Sequence, residues 1–176
     1  MADQAPPFLI EPLSDTHDRG AFASGVEALD RYFSSQVTQD VRRRIAACFV
    51  AVERETKTVA GYYTIAASSL PLTAIAAATA NKLPRYPLVP ALRIGRLAVA
   101  NERKGKDKGL GAGLLIDAIA RALRADLMAL AVVVDAKDDA AVAFYKHHGF
   151  TTFDGAAMKL YLPLASAAKA LGLAKP

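Results

Sequence analysis

The stretch 97-LAVANERKGKDKGLGAGLL-115 decides the fold of this chain. It begins with β-forming residues, passes through a charged loop and reaches three glycines (Gly109, Gly111 and Gly113) where an amphipathic helical pattern starts. Backbone N–H groups at a helix start are unpaired, and glycines let a phosphate approach them closely. The stretch therefore predicts a strand, a basic loop and a helix with an anion-binding turn between them. The alternative is that the glycines only ease helix–strand packing.

Two common nucleotide motifs fit this turn poorly. A Walker A motif is excluded because no Gly-Lys-Ser/Thr follows Gly105 at the required spacing. A dinucleotide fingerprint fits poorly because the third glycine comes one position early and the loop before it is long and cationic. A ligand with several phosphates suits Lys104, Lys106 and Lys108 better than a single pyrophosphate does.

Length and composition predict one globular domain over residues 1–176, with an N-terminal segment 1–20 and a C-terminal tail 164–176. Of the 176 residues, 53% are hydrophobic and 22% are charged. The single cysteine, Cys48, excludes a disulfide framework and a cysteine-rich zinc site, and we expect no metal. The chain has no run of 18 apolar residues and does not open like a signal peptide, so we expect a cytoplasmic protein without a membrane partner.

The positive charge is concentrated in one part of the chain. The net charge is +5, and residues 82–108 contain eight basic and two acidic residues. This distribution indicates an anionic partner at one place, and the alternative is a solvated loop that only aids solubility.

The first half of the chain predicts a helix, a hairpin and a strand. Ser24 and Glu27 have the spacing of a capping box, and the helix after them is expected to run to about Arg42. The runs 45–52 and 59–65 flank a polar turn, which favours a β-hairpin. A short helix over Ala74–Ala80 and a strand over Ala91–Val99 are expected next.

The second half alternates helices and strands. A helix starts at Leu110, Met128–Val134 is an apolar run typical of a buried strand, and Asp138 and Gly149 are expected to begin and end a further helix. Two short strands over 150–153 and 157–162 follow. Together these elements predict a mixed α/β or α+β sheet with helices on its faces.

Three blocks of sequence resemble a known family. The first block comprises Leu97–Val99, the basic loop, Gly109–Gly111 and Leu114-Leu115. It resembles motif A of the GNAT acetyltransferases. The block 135-DAKDDAAVAFYKHHGF-150 resembles their motif B. The N-terminal blocks 29–33, 39–44 and 48–51 look like the toxin acetyltransferases of bacterial toxin–antitoxin modules. The likeness covers about residues 8–163, although Lys106 stands where the family usually has Gln or Arg and the loop is two residues longer.

The resemblance implies the GNAT fold, an α/β (α+β) class with a central mixed, mostly antiparallel sheet. It also implies that the sheet is splayed at the cofactor site and has helices on both faces. Acetyl-coenzyme A is the implied cofactor. The residues implied to bind it are Leu97, Ala98, Val99, Lys104, Gly105, Lys106, Lys108, Gly109, Leu110, Gly111, Ala112, Gly113, Asp138 and Phe144. Tyr145 is the implied catalytic residue, because a phenol stays protonated at neutral pH and can donate to the leaving sulfur. Its spacing alone favours a core aromatic beside Phe144.

The toxin subgroup implies the α-amino group of an aminoacyl-tRNA as the acceptor. Basic residues in excess of the cofactor's need would then hold the tRNA, and we expect these to be Lys82, Arg85, Arg93 and Arg96. For Arg42–Arg44 a helix C-terminus that complements its own dipole is favoured. The resemblance also implies a ribbon-helix-helix antitoxin, operator DNA bound only through that antitoxin, and a homodimer.

Other interpretations remain open. A GNAT enzyme could instead acetylate protein N-termini, lysines or small amines, and a non-catalytic tRNA- or phosphate-binding module could keep the same fold. His147 and His148 point about 100° apart on a helix, so we expect helix C-terminal residues and no shared ligand. Cys48 is expected to be a small core residue.

Overall fold

The computed structural model describes residues 6–105 and 109–173. The strands are β1 (Phe8–Pro12), β2 (Ala47–Glu53), β3 (Val59–Pro71), β4 (Leu88–Val99), β5 (Ala131–Asp135), β6 (Thr151–Phe153) and β7 (Ala156–Pro163). The helices are α1 (Glu27–Ser35), α2 (Val37–Arg42), α3 (Ala77–Ala80), α4 (Leu110–Arg124), α5 (Asp139–His147) and α6 (Leu164–Ala170).

The seven strands form one sheet in the order β1-β2-β3-β4-β5-β7-β6. The pairs β1–β2, β2–β3, β5–β7 and β6–β7 are antiparallel, and β4–β5 is parallel. A parallel pair needs a crossover connection, and α4 supplies it between β4 and β5. The mixed, mostly antiparallel sheet predicted from the sequence is therefore confirmed.

The chain forms two compact units. The first comprises the described parts of Met1–Ile65 and Arg96–Asp117, and the second those of Ala66–Gly95 and Ala118–Pro176. Strands β3 and β4 and helix α4 contribute residues to both units.

An aromatic cluster forms the core of the first unit. Phe33 of α1 stacks on Tyr62 of β3 with ring centroids 4.2 Å apart, and Phe22 meets both rings edge-on. Val37 and Val50 are fully buried beside them. The expected hairpin of β2 and β3 is confirmed, and it contributes Val50 and Tyr62 to this cluster.

The predicted capping box and the single long helix are wrong. The chain turns at Gly25 (φ +80°), so Ser24 lies before the helix; its hydroxyl donates to Asp30 at 2.6 Å instead of capping α1. The helix then breaks at Gln36 and continues as α2. The hydroxyls of Ser34 and Ser35 both donate to the carbonyl of Arg31, and this back-bonding competes with the helical hydrogen bonds.

No local pattern in the sequence predicts strand β1, because the segment 1–20 is rich in proline and mixed in composition. Residues Phe8–Pro12 pair with Phe49–Glu53 of β2 in antiparallel register. The pairing partner lies some forty residues further along the chain, where no local pattern reveals it.

The second unit has its own apolar core. Leu70, Ile75, Val89, Val133 and Tyr161 are buried together there. The hydroxyl of Tyr161 also accepts the N–H of Ala76 at 3.2 Å.

The predicted strand over Met128–Val134 is too long at its start. Strand β5 begins at Ala131, and Met128 is 86% exposed in the loop before it. An unbroken apolar run has no periodicity to mark where a strand begins, so the sequence could not place this boundary. The short strands at the C-terminal end are confirmed as β6 and β7, and the tail forms α6.

Within the described residues, no helix is long and apolar enough to cross a membrane. The same residues contain no group of three His, Cys, Asp or Glu side chains arranged to hold a metal ion.

Candidate active site

The glycine turn of the first unit forms the start of helix α4. Gly109 has φ +112°, which an L side chain rarely adopts, and α4 begins at the next residue. The N–H of Gly113 donates to the carbonyl of Gly109 at 2.7 Å, which is the first bond of the helix. The amides of Leu110, Gly111 and Ala112 precede that bond and have no acceptor within the helix.

The described residues leave open space at the glycines of this turn. Among the residues that the structure describes, a β-carbon added at Gly105, Gly109 or Gly113 would meet no atom within 4 Å. The predicted contributions of Lys106 and Lys108 lie outside the described residues.

Strand β4 brings Leu97, Ala98 and Val99 to the point where the chain leaves the sheet. Ala98 is buried, and Leu97 and Val99 are half-buried. The register of β4 with β5 runs from Ala91 to Ile94, and β4 continues for five residues beyond it.

Gly61 of β3 supports this part of β4. A β-carbon there would lie 2.9 Å from the carbonyl oxygen of Ala98 and 2.9 Å from Leu114 Cδ1. Sequence reasoning missed Gly61, although a glycine inside a predicted strand is the usual signal of a close backbone approach.

Two cations of the basic loop bind other residues of the first unit. The Lys104 ammonium donates to the carbonyl of Ser24, and the Arg103 guanidinium pairs with Glu53 at 2.6 Å. Hydrogen bonding from the Thr56 hydroxyl, followed by the charge of Arg103, lowers the pKa of Glu53. Lys104 therefore holds the loop, and its predicted contact with a cofactor stays a prediction.

Helix α5 of the second unit carries Phe144 and Tyr145. The predicted N-cap is confirmed, because the Asp138 carboxylate accepts the N–H of Ala141 at 2.8 Å. The other carboxylate oxygen of Asp138 accepts a hydrogen bond from the Lys137 ammonium at 2.7 Å. The hydrogen bond from Lys137, followed by that from the Ala141 N–H, lowers the pKa of Asp138. The predicted contact of Asp138 with a cofactor stays a prediction.

Tyr145 is 8% exposed and packs against two rings. Phe144 meets it edge-on at 5.3 Å, and Phe150 lies 5.4 Å away. Among the described residues its hydroxyl has no hydrogen-bond partner, and burial raises its pKa to about 12. A buried hydroxyl without a partner is destabilising unless a ligand or water completes it.

His148 and Cys48, whose side chains could in principle take part in acid–base or nucleophilic chemistry, have structural roles. His148 donates from Nδ1 to the carbonyl of Phe144 at 2.8 Å, as expected for a residue at a helix C-terminus. Cys48 is buried in β2, and burial raises its pKa to about 12, so it stays a neutral thiol.

The four predicted tRNA-binding residues fall into two pairs. Arg93 forms an ion pair with Asp135, and the Arg96 guanidinium lies 3.4 Å from the ring centroid of Tyr32. Lys82 and Arg85 are exposed in the loop after α3.

Comparison with known proteins places this arrangement in a family. A sequence model of the acetyltransferase (GNAT) domain matches residues 16–159. A tRNA-acetylating toxin of Mycobacterium tuberculosis is 35% identical over 140 residues, covering 78% of this chain and 81% of the relative.

Two solved structures are similar over most of the chain. AtaT complexed with acetyl-methionyl-tRNAfMet superposes with a TM-score of 0.85 at 27% identity, covering 94% of this chain and 99% of that one. AtaTR bound with acetyl-CoA has a TM-score of 0.75 at 25% identity, covering 94% and 98%. From these matches, the chain belongs to the GNAT acetyltransferases, in the group of the tRNA-acetylating toxins.

Proposed function

We propose that this protein transfers an acetyl group from acetyl-CoA to the α-amino group of an aminoacyl-tRNA and thereby blocks translation. The observation that carries the proposal is the hydroxyl of the buried Tyr145, which has no partner among the described residues. The family and the toxin relative support the same activity.

The described residues fit acetyl-CoA. Three amides at the start of α4 and the open space at Gly105, Gly109 and Gly113 suit a pyrophosphate. The backbone of Leu97–Val99 would pair with the pantetheine arm as an added strand would. Phe144 would pack against the cofactor, and Lys106 and Lys108 would add positive charge.

The bound cofactor supplies a thioester whose sulfur leaves as a thiolate. Tyr145 is suited to protonate that sulfur because its raised pKa keeps the hydroxyl protonated at neutral pH. The N–H of Val99 would donate to the oxyanion. A strong general base is not required, because an α-amine has a pKa of about 8 and is partly neutral already.

The tRNA backbone would bind first to the exposed Lys82 and Arg85. Arg93 and Arg96 already have intramolecular partners in Asp135 and Tyr32, so each would have to share its charge. Binding to RNA phosphates should therefore depend on salt mainly through the exposed pair.

The proposed partners follow from the toxin group. A ribbon-helix-helix antitoxin would bind and inhibit the enzyme, and the pair would bind operator DNA through the antitoxin. We propose a homodimer in the cytoplasm.

The deciding experiment offers labelled acetyl-CoA with aminoacyl-tRNA, deacylated tRNA and a peptide with a free N-terminus. We expect label on aminoacyl-tRNA alone, released with the amino acid on mild base hydrolysis of the ester. Label on the peptide but not on aminoacyl-tRNA would overturn the proposed acceptor, and retained binding of acetyl-CoA and tRNA without transfer would favour a binding module.

A further inference from the structure

The loop between α3 and β4 presents one aromatic ring to solvent. Tyr86 is 62% exposed, whereas the other five tyrosines of the chain are buried. Among the described residues, its ring and hydroxyl have no partner. A large exposed ring of this kind is available for an intermolecular contact.

Hydrogen bonds and prolines restrain the backbone of this loop before any partner binds. The N–H of Tyr86 donates to the carbonyl of Pro84 at 2.8 Å, and the N–H of Leu83 donates to Ala80 at 3.1 Å. Pro84 and Pro87 further restrict the backbone on either side. Binding through Tyr86 would therefore cost little additional backbone entropy.

Tyr86 also lines a cleft of about 570 Å³. Arg85 and Pro87, its neighbours in the chain, line the same cleft, as do the apolar side chains of Leu72 and Ile75. Its only ionisable lining groups besides Tyr86 are Arg85 and Asp154, so the cleft among the described residues is close to neutral.

The charges and the apolar lining of the cleft favour a nucleobase inside it and phosphates outside it. The carboxylate of Asp154 disfavours a phosphate inside the cleft, whereas a flat neutral base meets apolar walls and an aromatic face there. The exposed cations Lys82 and Arg85 suit the phosphates that flank such a base. An exposed aromatic beside cations is the usual arrangement for binding single-stranded nucleic acid.

We infer that Tyr86 is a stacking platform for an unpaired nucleotide at the acceptor end of the tRNA. This inference rests on the proposed function, since it concerns the same substrate. The base must be unpaired, because neighbours in a duplex cover both faces of a paired base. Loss of the ring should weaken tRNA binding about 5- to 150-fold, the range for one base–aromatic stack.

The chain contains no tryptophan, so a single substitution creates a specific reporter. The variant Tyr86→Trp is titrated with deacylated tRNA and with the same tRNA lacking its unpaired 3′ nucleotides. We expect saturable quenching by the intact tRNA and little by the truncated one. Met128→Trp is the matched control, because Met128 is also exposed in the second unit but lines a different cleft.

Kinetics supply the second readout. Tyr86→Ala should raise KM for aminoacyl-tRNA about 5- to 150-fold and leave KM for acetyl-CoA unchanged, and Tyr86→Phe should restore KM because it keeps the ring. Thermal unfolding checks that both variants fold.

Several results would overturn the inference. These are equal quenching by intact and truncated tRNA, no quenching although tRNA binds, or a Tyr86→Ala variant that alters only dimerisation or antitoxin binding. Transfer of acetyl to aminoacyl-tRNA without quenching would refute the stacking role alone. Quenching by intact tRNA without any transfer would refute the proposed function and leave the stacking role standing.

Discussion

Gly61 of β3 lies so close to Ala98 of β4 that a β-carbon at position 61 would stand 2.9 Å from the Ala98 carbonyl oxygen. Leu114 Cδ1 of α4 is equally near on the same side, but it is the end of a flexible side chain. Backbone cannot move aside as a side chain does, so the contact with Ala98 decides the outcome of a substitution. Through this contact, the buried Gly61 packs against the strand that is proposed to hold the pantetheine arm.

The variant Gly61→Ala should lower the free energy of unfolding by about 1–3 kcal/mol, the range for overpacking a core. Denaturant unfolding at fixed pH measures the change. KM for acetyl-CoA should rise as well, because β4 must shift at Ala98. An unchanged denaturation midpoint would contradict this prediction, because it would show that β3 and β4 accommodate the methyl group without strain.

The variant Gly113→Ala should affect stability and cofactor binding in opposite directions. Alanine in place of glycine within a helix stabilises by about 0.5–1 kcal/mol, and no atom of the described residues lies within 4 Å of the new methyl group. The methyl group would occupy space proposed for the pyrophosphate, so KM for acetyl-CoA should rise about tenfold, or about 1.4 kcal/mol. A stabilised enzyme with normal KM would place the pyrophosphate elsewhere.

The variant Tyr145→Phe should lower kcat by at least about 100-fold, the scale of general-acid catalysis. Its free energy of unfolding should stay the same or rise, because the hydroxyl has no partner among the described residues whose hydrogen bond would be lost. Initial rates at saturating substrates and denaturant unfolding separate the two effects. A fully active variant would exclude Tyr145 as the proton donor.

The pH profile should show one rising limb. The value of kcat/KM for aminoacyl-tRNA should increase until the α-amine is neutral, near pH 8. Because the pKa of Tyr145 is raised to about 12, its proton is retained through pH 10 and no falling limb is expected there. Initial rates from pH 6 to 10, corrected for ester hydrolysis, check this. A decline between pH 8 and 10 would point to another acid.

Neutralising the exposed cations should change how tRNA binding depends on salt. Lys82→Gln and Arg85→Gln should each reduce the slope of log affinity against log salt concentration by about 0.7–0.9. Arg93→Gln is the control; it should reduce the slope less, because Asp135 already pairs with Arg93. Filter binding of deacylated tRNA at several salt concentrations measures all three, and equal slopes throughout would contradict this assignment.

Local signals in the sequence predicted several elements of the site. Asp138 begins α5 as expected, and the glycines at 109–113 mark the start of α4. The same kind of signal failed at Ser24, where a turn at Gly25 redirected the side chain to Asp30. A short motif gives a spacing, but it does not determine which competing hydrogen bond is formed.

The sequence by itself determined the family, the strand–loop–helix order and the placement of Tyr145 on a helix. Each of these depends on motifs whose residues are close together in the chain. The tertiary structure alone decided the partners of Lys104 and Arg96. Lys104 binds the carbonyl of Ser24, and Arg96 lies over Tyr32. Each contact joins residues more than sixty positions apart, where periodicity and spacing carry no information, so only the folded chain reveals which cations remain available to a ligand.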